Sequence, residues 1–265
     1  MRTADRRTVL GLHRSRHRRD LLSDALDLGV TAIDTASNYL GHHSHRTLAT
    51  VAGDLLPKFS ISTKVGYFED GHSLLPERLR HAVEKTAKDL GHEPGTILLH
   101  NPEHSAPDAE TLTHACAALV DATAAGLCEH WGISTWDPRP LVGLDAPRPD
   151  VLMVRSGLLV SNRVLDAAEA LVTWWRPAAV WGMSPFGGSA TAPVWARVEP
   201  RTFLRVPAAT TVQAAFRVAF ALPRVDAVAV STDDTGHLRE LLGGLAYEID
   251  TEVLRSYRQL LRQST

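Results

Sequence analysis

A regular alternation of short apolar segments with longer amphipathic ones is the feature that most constrains the fold. About eight apolar segments occur, and they are short and largely non-alternating, as expected of parallel strands that helices cover. They are Thr8–Leu12, Thr31–Asp34, Phe59–Thr63, Thr96–His100, His130–Ser134, Val151–Arg155, Ala178–Met183 and Ala227–Ser231. This pattern predicts an α/β protein with a single (β/α)8 barrel, a TIM barrel, and leaves a doubly wound open sheet as the alternative.

The amphipathic segments carry the signals that begin and end helices. "RDLLSDALDLG" places leucines on one face and stops at Gly29. "LLPERLRHAVEKTAKDLG" has Pro76 near its start and Gly91 just past its end. Further helices are predicted from "DAETLTHACAALVDATAAG", "SNRVLDAAEALVTWW", "TTVQAAFRVAFAL" with a threonine cap, and "DTEVLRSYRQLL".

Length and composition agree with one barrel. The chain has 265 residues, of which 44% are hydrophobic, and this is enough to bury a large core. Composition does not shift anywhere to mark a linker, so we expect one domain over residues 1–265. The stretch "SPFGGSATAPVWARVEPRTFLRVP" is too long for an ordinary connection, and we expect a functional loop there.

Cysteine usage and hydropathy indicate the compartment. Cys116 and Cys128 do not form a C-x-x-C pair, which favours a reduced protein without a disulfide framework. The sequence contains no run of about eighteen apolar residues and no signal peptide with an apolar centre. We therefore expect a cytoplasmic protein that does not associate with a membrane.

The N-terminal stretch is basic although the net charge of the chain is −2. An apolar segment, "TVLGL", interrupts the arginines, and no aromatic residues alternate with them as in a single-strand binder. We do not expect nucleic-acid binding, and a solvated surface or a pocket for an anionic ligand fits better. The arginines are Arg2, Arg6, Arg7, Arg14, Arg16, Arg18 and Arg19.

Polar residues follow three neighbouring predicted strands. Asp34 ends the second strand and Tyr39 lies just beyond it, Lys64 ends "STK", and His100 ends "LLH". Active sites of such barrels lie at the carboxyl ends of the strands, so we expect these four side chains to meet there. They are the candidate catalytic residues.

These four groups suit proton transfer to a carbonyl oxygen. A tyrosine has a pKa near 10, and a neighbouring lysine lowers it by favouring the phenolate. A carboxylate would hold the lysine, and a histidine would donate a further hydrogen bond. Together they would form a proton donor directed at a developing oxyanion.

Five segments, "GVTAIDTASNY", "ISTKVG", "ILLHNPE", "WGIST" and "WGMSPFGG", resemble the successive strand-end motifs of aldo-keto reductases. The resemblance runs from about Leu10 to the last helix. It implies that Tyr39 is the general acid or base during hydride transfer to or from NADP(H) or NAD(H). It also implies that Lys64 lowers the pKa of Tyr39, that Asp34 pairs with Lys64, and that His100 orients the substrate.

The cofactor-binding motifs of that family are altered in this sequence. By position, the cofactor-binding candidates are Ser134, Thr135, Met183, Ser184, Ser231 and Thr232. Family members usually have Ser-Asn where Ser134 and Thr135 stand, glutamine at Met153, and an aromatic residue at Met183. Asp233 lies where the family has a basic residue for the 2′-phosphate of NADP(H), and a carboxylate repels that group. NAD(H) is less affected, because a carboxylate can bind ribose hydroxyls.

The first strand also departs from the family pattern. The sequence reads "GLHR" instead of "GLG", so His13 and Arg14 are expected to reach the site, where Trp136 could form part of a substrate pocket. The glutamate that usually follows the tyrosine is replaced by His45.

Two functions follow from these observations. The first is an oxidoreductase for a carbonyl or hydroxyl group of a small-molecule substrate, with an atypical NADP(H) or NAD(H) site. The second is a redox-independent dehydratase, isomerase or cyclase that uses the same four residues and binds no dinucleotide. A non-catalytic barrel is the weaker third possibility, because all four residues are present. The sequence carries no signal for the oligomeric state.

Three histidines follow Tyr39 in "LGHHSH". His42, His43 and His45 have no nearby cysteine or fixed carboxylate, and adjacent side chains of an extended segment point apart. We therefore predict a solvated loop and no metal site.

Overall fold

The computed structural model describes residues 7–206 and 208–263, so Arg2 and Arg6 of the basic stretch lie outside the described residues. Eight parallel strands close into a barrel. The strands are β1 Arg7–Gly11, β2 Ala32–Asp34, β3 Ser60–Val65, β6 Thr96–His100, β7 His130–Thr135, β8 Val151–Arg155, β9 Ala179–Met183 and β10 Ala227–Ser231. Their order around the barrel is β1-β10-β9-β8-β7-β6-β3-β2. The predicted (β/α)8 barrel is confirmed, and the open sheet is excluded.

Helices surround the barrel. Pro76 begins α4, and Gly91 ends it with a left-handed φ of 75°. Thr210 caps α7 in a capping box with Gln213. The α-helices of the described residues are α1 Arg19–Asp27, α2 Tyr39–His42, α3 Ser44–Ala52, α4 Pro76–Leu90, α5 Ala109–Ala124, α6 Asn162–Trp175, α7 Thr211–Ala219, α8 Thr235–Gly244 and α9 Thr251–Gln263.

One segment differs from the sequence prediction. The segment "LGHHSH" was predicted to be a solvated loop, but its last two residues, Ser44 and His45, begin α3 and are buried. Between β7 and β8, where the sequence predicted no particular helix, the chain forms a short 3-10 helix, Arg139–Leu141.

Strand side chains alternate between the inside of the barrel and the surrounding helices. Val9, Leu98 and Met153 belong to a buried cluster made of strand residues, which fills the barrel interior. Leu10, the residue after Val9 in β1, packs instead with residues of α1 and α3, and so does Ile33 of β2. This alternation fixes which side chains can reach the carboxyl end of the barrel.

Two connections at the carboxyl ends of strands have structure of their own. After β3 the chain forms a small antiparallel hairpin, β4 Tyr67–Phe68 and β5 Gly71–His72. The long segment after β9 contains two 3-10 helices, Pro193–Arg197 and Pro200–Phe203. No helix within residues 7–206 and 208–263 is long and apolar enough to cross a bilayer.

Candidate active site

A buried ion pair joins β2 and β3 at the carboxyl end of the barrel. Lys64 is 2% exposed and Asp34 is 5% exposed. The Lys64 ammonium donates to Asp34 Oδ2 at 2.5 Å and to the Thr35 carbonyl oxygen at 2.9 Å. The hydroxyl of Ser62 donates to the other oxygen of Asp34, at 2.9 Å. Both charges are therefore hydrogen-bonded, as buried charges must be.

Tyr39 begins α2 and lies beside this pair. Its hydroxyl lies 3.5 Å from the Lys64 ammonium. The next two residues, Leu40 and Gly41, have left-handed φ values of 50° and 60°, which end the helical turn early. Burial raises the pKa of Tyr39, and Lys64 acts in the opposite direction. The sequence predicted only the lowering by Lys64; burial outweighs it, so the phenol is protonated at neutral pH.

His100 ends β6 and is buried next to Tyr39. The two rings meet edge to face with their centroids 6.2 Å apart. Burial and then the charge of Lys64 hold the pKa of His100 well below 6.5, so the ring is neutral at neutral pH. Its Nδ1 atom finds no hydrogen-bond partner among the described residues.

One cavity of about 570 Å³ contains all four predicted catalytic residues. It extends from them across the carboxyl ends of β1, β9 and β10. The side chains and backbone that line it belong to Gly11, His13, Arg14, Ser15, Asp34, Asn38, Tyr39, Lys64, Tyr67, His100, Asn101, Trp136, Met183, Ser184, Pro185, Phe186, Gly188, Ala229, Val230, Ser231, Thr232 and Asp233.

The other predicted site residues divide into two groups. Seven of them line the cavity: His13, Arg14, Trp136, Met183, Ser184, Ser231 and Thr232. Ser134 and Thr135 are fully buried in β7 and do not line it. The imidazole of His13 lies beside Tyr39, with the ring centroids 5.0 Å apart, and both residues line the cavity.

The sequence did not single out one wall of the cavity. Tyr67 of the β4–β5 hairpin packs edge to face on His100, with the ring centroids 4.8 Å apart. Its hydroxyl lies 2.7 Å from His104 Nδ1 and accepts from the amide of Asn101 at 3.3 Å. The segment "GYFEDGH" signals this hairpin only weakly, because each strand has two residues.

The far end of the cavity carries a carboxylate. Asp233 follows β10 and accepts a hydrogen bond from the Ser15 hydroxyl at 2.8 Å. Arg14, one residue before Ser15, has a left-handed φ of 61° that is uncommon for an arginine. The loop after β1 and the loop after β10 are therefore joined at this end.

A model of the aldo/keto reductase family matches residues 13–164, more than half of the chain. The chain belongs to the aldo-keto reductase family. The match includes the segments that carry Asp34, Tyr39, Lys64 and His100, and membership of this family implies an oxidoreductase.

Solved aldo-keto reductases share the fold. The thermostable reductase Tm1743, solved with the inhibitor epalrestat, is 23% identical with a TM-score of 0.73, and the match covers 96% of this chain and 93% of that one. A reductase from Bacillus halodurans in its holo form is 17% identical with a TM-score of 0.68, over 92% and 86% of the two chains. A search of curated protein sequences found no match.

The histidines after Tyr39 do not line the cavity of this aldo-keto reductase. His45 is buried in α3, where its Nε2 atom lies 2.7 Å from the Thr63 hydroxyl, so the prediction of a solvated loop was wrong for this residue. Burial lowers the pKa of His45 to about 4.

Proposed function

We propose that this aldo-keto reductase interconverts a carbonyl and a hydroxyl group of a small molecule with NAD(P)H, and that Tyr39 is the general acid or base. The observation that carries the proposal is the 3.5 Å separation of the Tyr39 hydroxyl from the buried Lys64 ammonium, at the wall of a 570 Å³ cavity. A phenol can donate its proton only where the phenolate it leaves is stabilised.

The residues around the cavity fit a dinucleotide in part. The cavity continues from Tyr39 past Gly11 to Ser231 and Thr232, and a Cβ at Gly11 would lie 2.9 Å from Ser231 Oγ, so a larger residue would displace this hydroxyl. Asp233 at the end would accept from ribose hydroxyls and would repel a 2′-phosphate. We therefore propose NAD(H) over NADP(H), held by Met183, Ser184, Ser231 and Thr232.

When bound, the dinucleotide supplies the hydride. Tyr39 then donates its proton to the substrate oxygen, and its raised pKa ensures that the proton is present at neutral pH. The Lys64 ammonium stabilises the resulting phenolate, and Asp34 fixes the ammonium at 2.5 Å. His100, which is neutral and lines the cavity, donates a hydrogen bond to the same oxygen. In oxidation the proton returns to Tyr39.

A redox-independent dehydratase, isomerase or cyclase is the second candidate, and two observations favour it. The imidazole of His13 lies beside Tyr39, where it could exchange a proton with the phenol. Burial, and then the charge of Arg14, lowers the pKa of His13, so the imidazole is neutral at neutral pH. Ser134 and Thr135, in addition, are withdrawn from the cavity.

Binding and turnover decide between these candidates. Purified protein would be titrated with NADH and with NADPH while tryptophan fluorescence and Tm are followed, and then assayed with a panel of aldehydes and ketones. The proposal expects saturable binding, tighter for NADH, and turnover that Tyr39→Phe abolishes without loss of binding. Absence of any change at millimolar dinucleotide would contradict the oxidoreductase and favour the redox-independent reaction.

A further inference from the structure

The loop between β1 and α1 forms one wall of the cavity without regular secondary structure. His13, Arg14 and Ser15 of this loop line the cavity. Arg14 and His17 both have left-handed φ values, 61° and 52°. Such conformations are strained for residues other than glycine and persist only where other contacts impose them. The contacts of His17 provide this restraint.

His17 is fully buried beneath the loop. Its Nδ1 atom lies 3.1 Å from the Ser15 carbonyl oxygen, and its Nε2 atom lies 2.6 Å from the hydroxyl of Ser44 in α3. Its backbone N–H donates to the Ser15 hydroxyl at 3.1 Å. The residue therefore ties the loop to itself and to α3.

The partners of His17 determine where its proton lies. A carbonyl oxygen can only accept, so Nδ1 carries the hydrogen that it donates to Ser15. Burial lowers the pKa of His17, so the ring is neutral and Nε2 must accept from the Ser44 hydroxyl. Ser44 then accepts in turn from the Thr35 hydroxyl, which lies 2.5 Å away. Each hydrogen bond in this series, from Thr35 through Ser44 and His17 to Ser15, therefore has one assigned donor and one assigned acceptor.

This series of hydrogen bonds connects the two ends of the cavity. At one end, the Thr35 carbonyl oxygen accepts from the Lys64 ammonium at 2.9 Å. At the other end, the Ser15 hydroxyl donates to Asp233 at 2.8 Å. His17 lies between these ends and does not itself line the cavity.

We propose that His17 is a positioning residue. Through Ser44, its neutral Nδ1–H tautomer holds the loop that carries His13 and Arg14 in a fixed position relative to Thr35 and Lys64. It acts on the binding of the substrate that the proposed function assigns to this cavity, and not on the proton transfer itself. Loss of His17 is therefore expected to loosen the wall, raising KM more than it lowers kcat.

The tautomer is tested first, without turnover. In protein with 15N-labelled histidine, the His17 ring, assigned by its absence from His17→Gln, is expected to show a protonated Nδ1 and an unprotonated Nε2 at neutral pH. Hydrogen exchange at residues 13–18 is expected to quicken in His17→Leu. A protonated Nε2, or unchanged exchange in that variant, would overturn the proposal.

Kinetics test the consequence. His17→Leu is expected to raise KM about tenfold while kcat changes less than about threefold. His17→Gln, whose amide oxygen can accept from Ser44, is expected to have a KM close to that of the wild type. Ser44→Ala combined with His17→Leu is expected to raise KM no further than His17→Leu alone, because both substitutions break the same His17–Ser44 hydrogen bond.

The matched control is His45→Leu, which removes another buried contact between a histidine and a hydroxyl. That contact is not part of the hydrogen-bond series through His17. It is expected to lower Tm with KM unchanged. Equal KM changes in the two leucine variants would reduce His17 to a merely structural role and overturn the proposal. If no carbonyl substrate turns over, the proposed function fails, while the tautomer and exchange measurements still decide the role of His17.

Discussion

The ammonium of Lys64 lies 3.5 Å from the hydroxyl of Tyr39. It lies closer to Asp34, at 2.5 Å, and is buried within the barrel wall. A positive charge in this position favours the phenolate, while burial of Tyr39 favours the phenol. Burial keeps the proton on Tyr39 at neutral pH, and the charge of Lys64 would stabilise the phenolate that the proposed reaction forms.

Removing the lysine tests this relationship. Lys64→Met is expected to lower activity about 100-fold or more, because the phenolate loses its counter-charge. It is also expected to lower the free energy of unfolding by about 3 to 5 kcal/mol, since Asp34 is left buried without its partner. The double variant Asp34→Asn/Lys64→Met is the control: urea unfolding should show recovered stability while activity stays low. Wild-type activity in a folded Lys64→Met variant would contradict the assignment.

The sequence predicted the barrel and the four clustered residues because both can be inferred from local patterns in the sequence. Short apolar strands gave the fold, and the strand ends located Asp34, Lys64 and His100 at one rim. The wall formed by Tyr67 and Asn101 was missed because it depends on a hairpin with two residues in each strand. The burial of His45 and Ser44 was missed because both residues are polar, although they lie on the same face of α3 as the buried Leu48 and Ala52.

Asp233 is expected to determine the choice of dinucleotide. Asp233→Asn removes the charge and keeps an acceptor for the Ser15 hydroxyl, so it should tighten NADPH relative to NADH about tenfold, equivalent to about 1.4 kcal/mol. Fluorescence titration would measure both dissociation constants. Asp234→Asn is the matched control, because Asp234 caps α8 through the His237 N–H at 2.9 Å and does not line the cavity. An equal change in both variants would argue against a direct role for Asp233.

His45 is expected to make stability depend on pH. The folded protein holds the pKa of His45 at about 4, below its ordinary value of 6.5, so the unfolded chain binds more protons between these values. The free energy of unfolding should therefore fall as pH decreases through this window, by up to about 3 kcal/mol from His45 alone. Urea unfolding at several pH values would show it. In His45→Gln the slope should be smaller; an unchanged slope would assign the effect to other histidines.

The C-terminal helix is expected to contribute stability and not activity. Arg258 of α9 donates to Asn162 Oδ1 at 2.6 Å and to the carboxylates of Asp166 and Glu169 on α6 at 2.9 and 3.0 Å. Arg258→Leu is expected to lower the free energy of unfolding by about 2 to 4 kcal/mol, with kcat and KM unchanged.

Its control is Arg262→Leu. Arg262 contacts the same two carboxylates, but its side chain is 54% exposed, against 10% for Arg258. Its loss should cost less than about 1 kcal/mol. Denaturant unfolding measures both variants, and a larger cost for Arg262 would contradict the weight given to burial.

Transfer of the hydride is the most direct test of the proposed function. Dinucleotide carrying deuterium at the transferred position would be incubated with the protein and an aldehyde substrate, and the product examined by mass spectrometry and NMR. The proposal predicts an alcohol with one deuterium on its carbinol carbon, formed by the wild type and not by Tyr39→Phe. A product that forms at the same rate without dinucleotide and carries no deuterium would contradict the oxidoreductase and establish the redox-independent reaction.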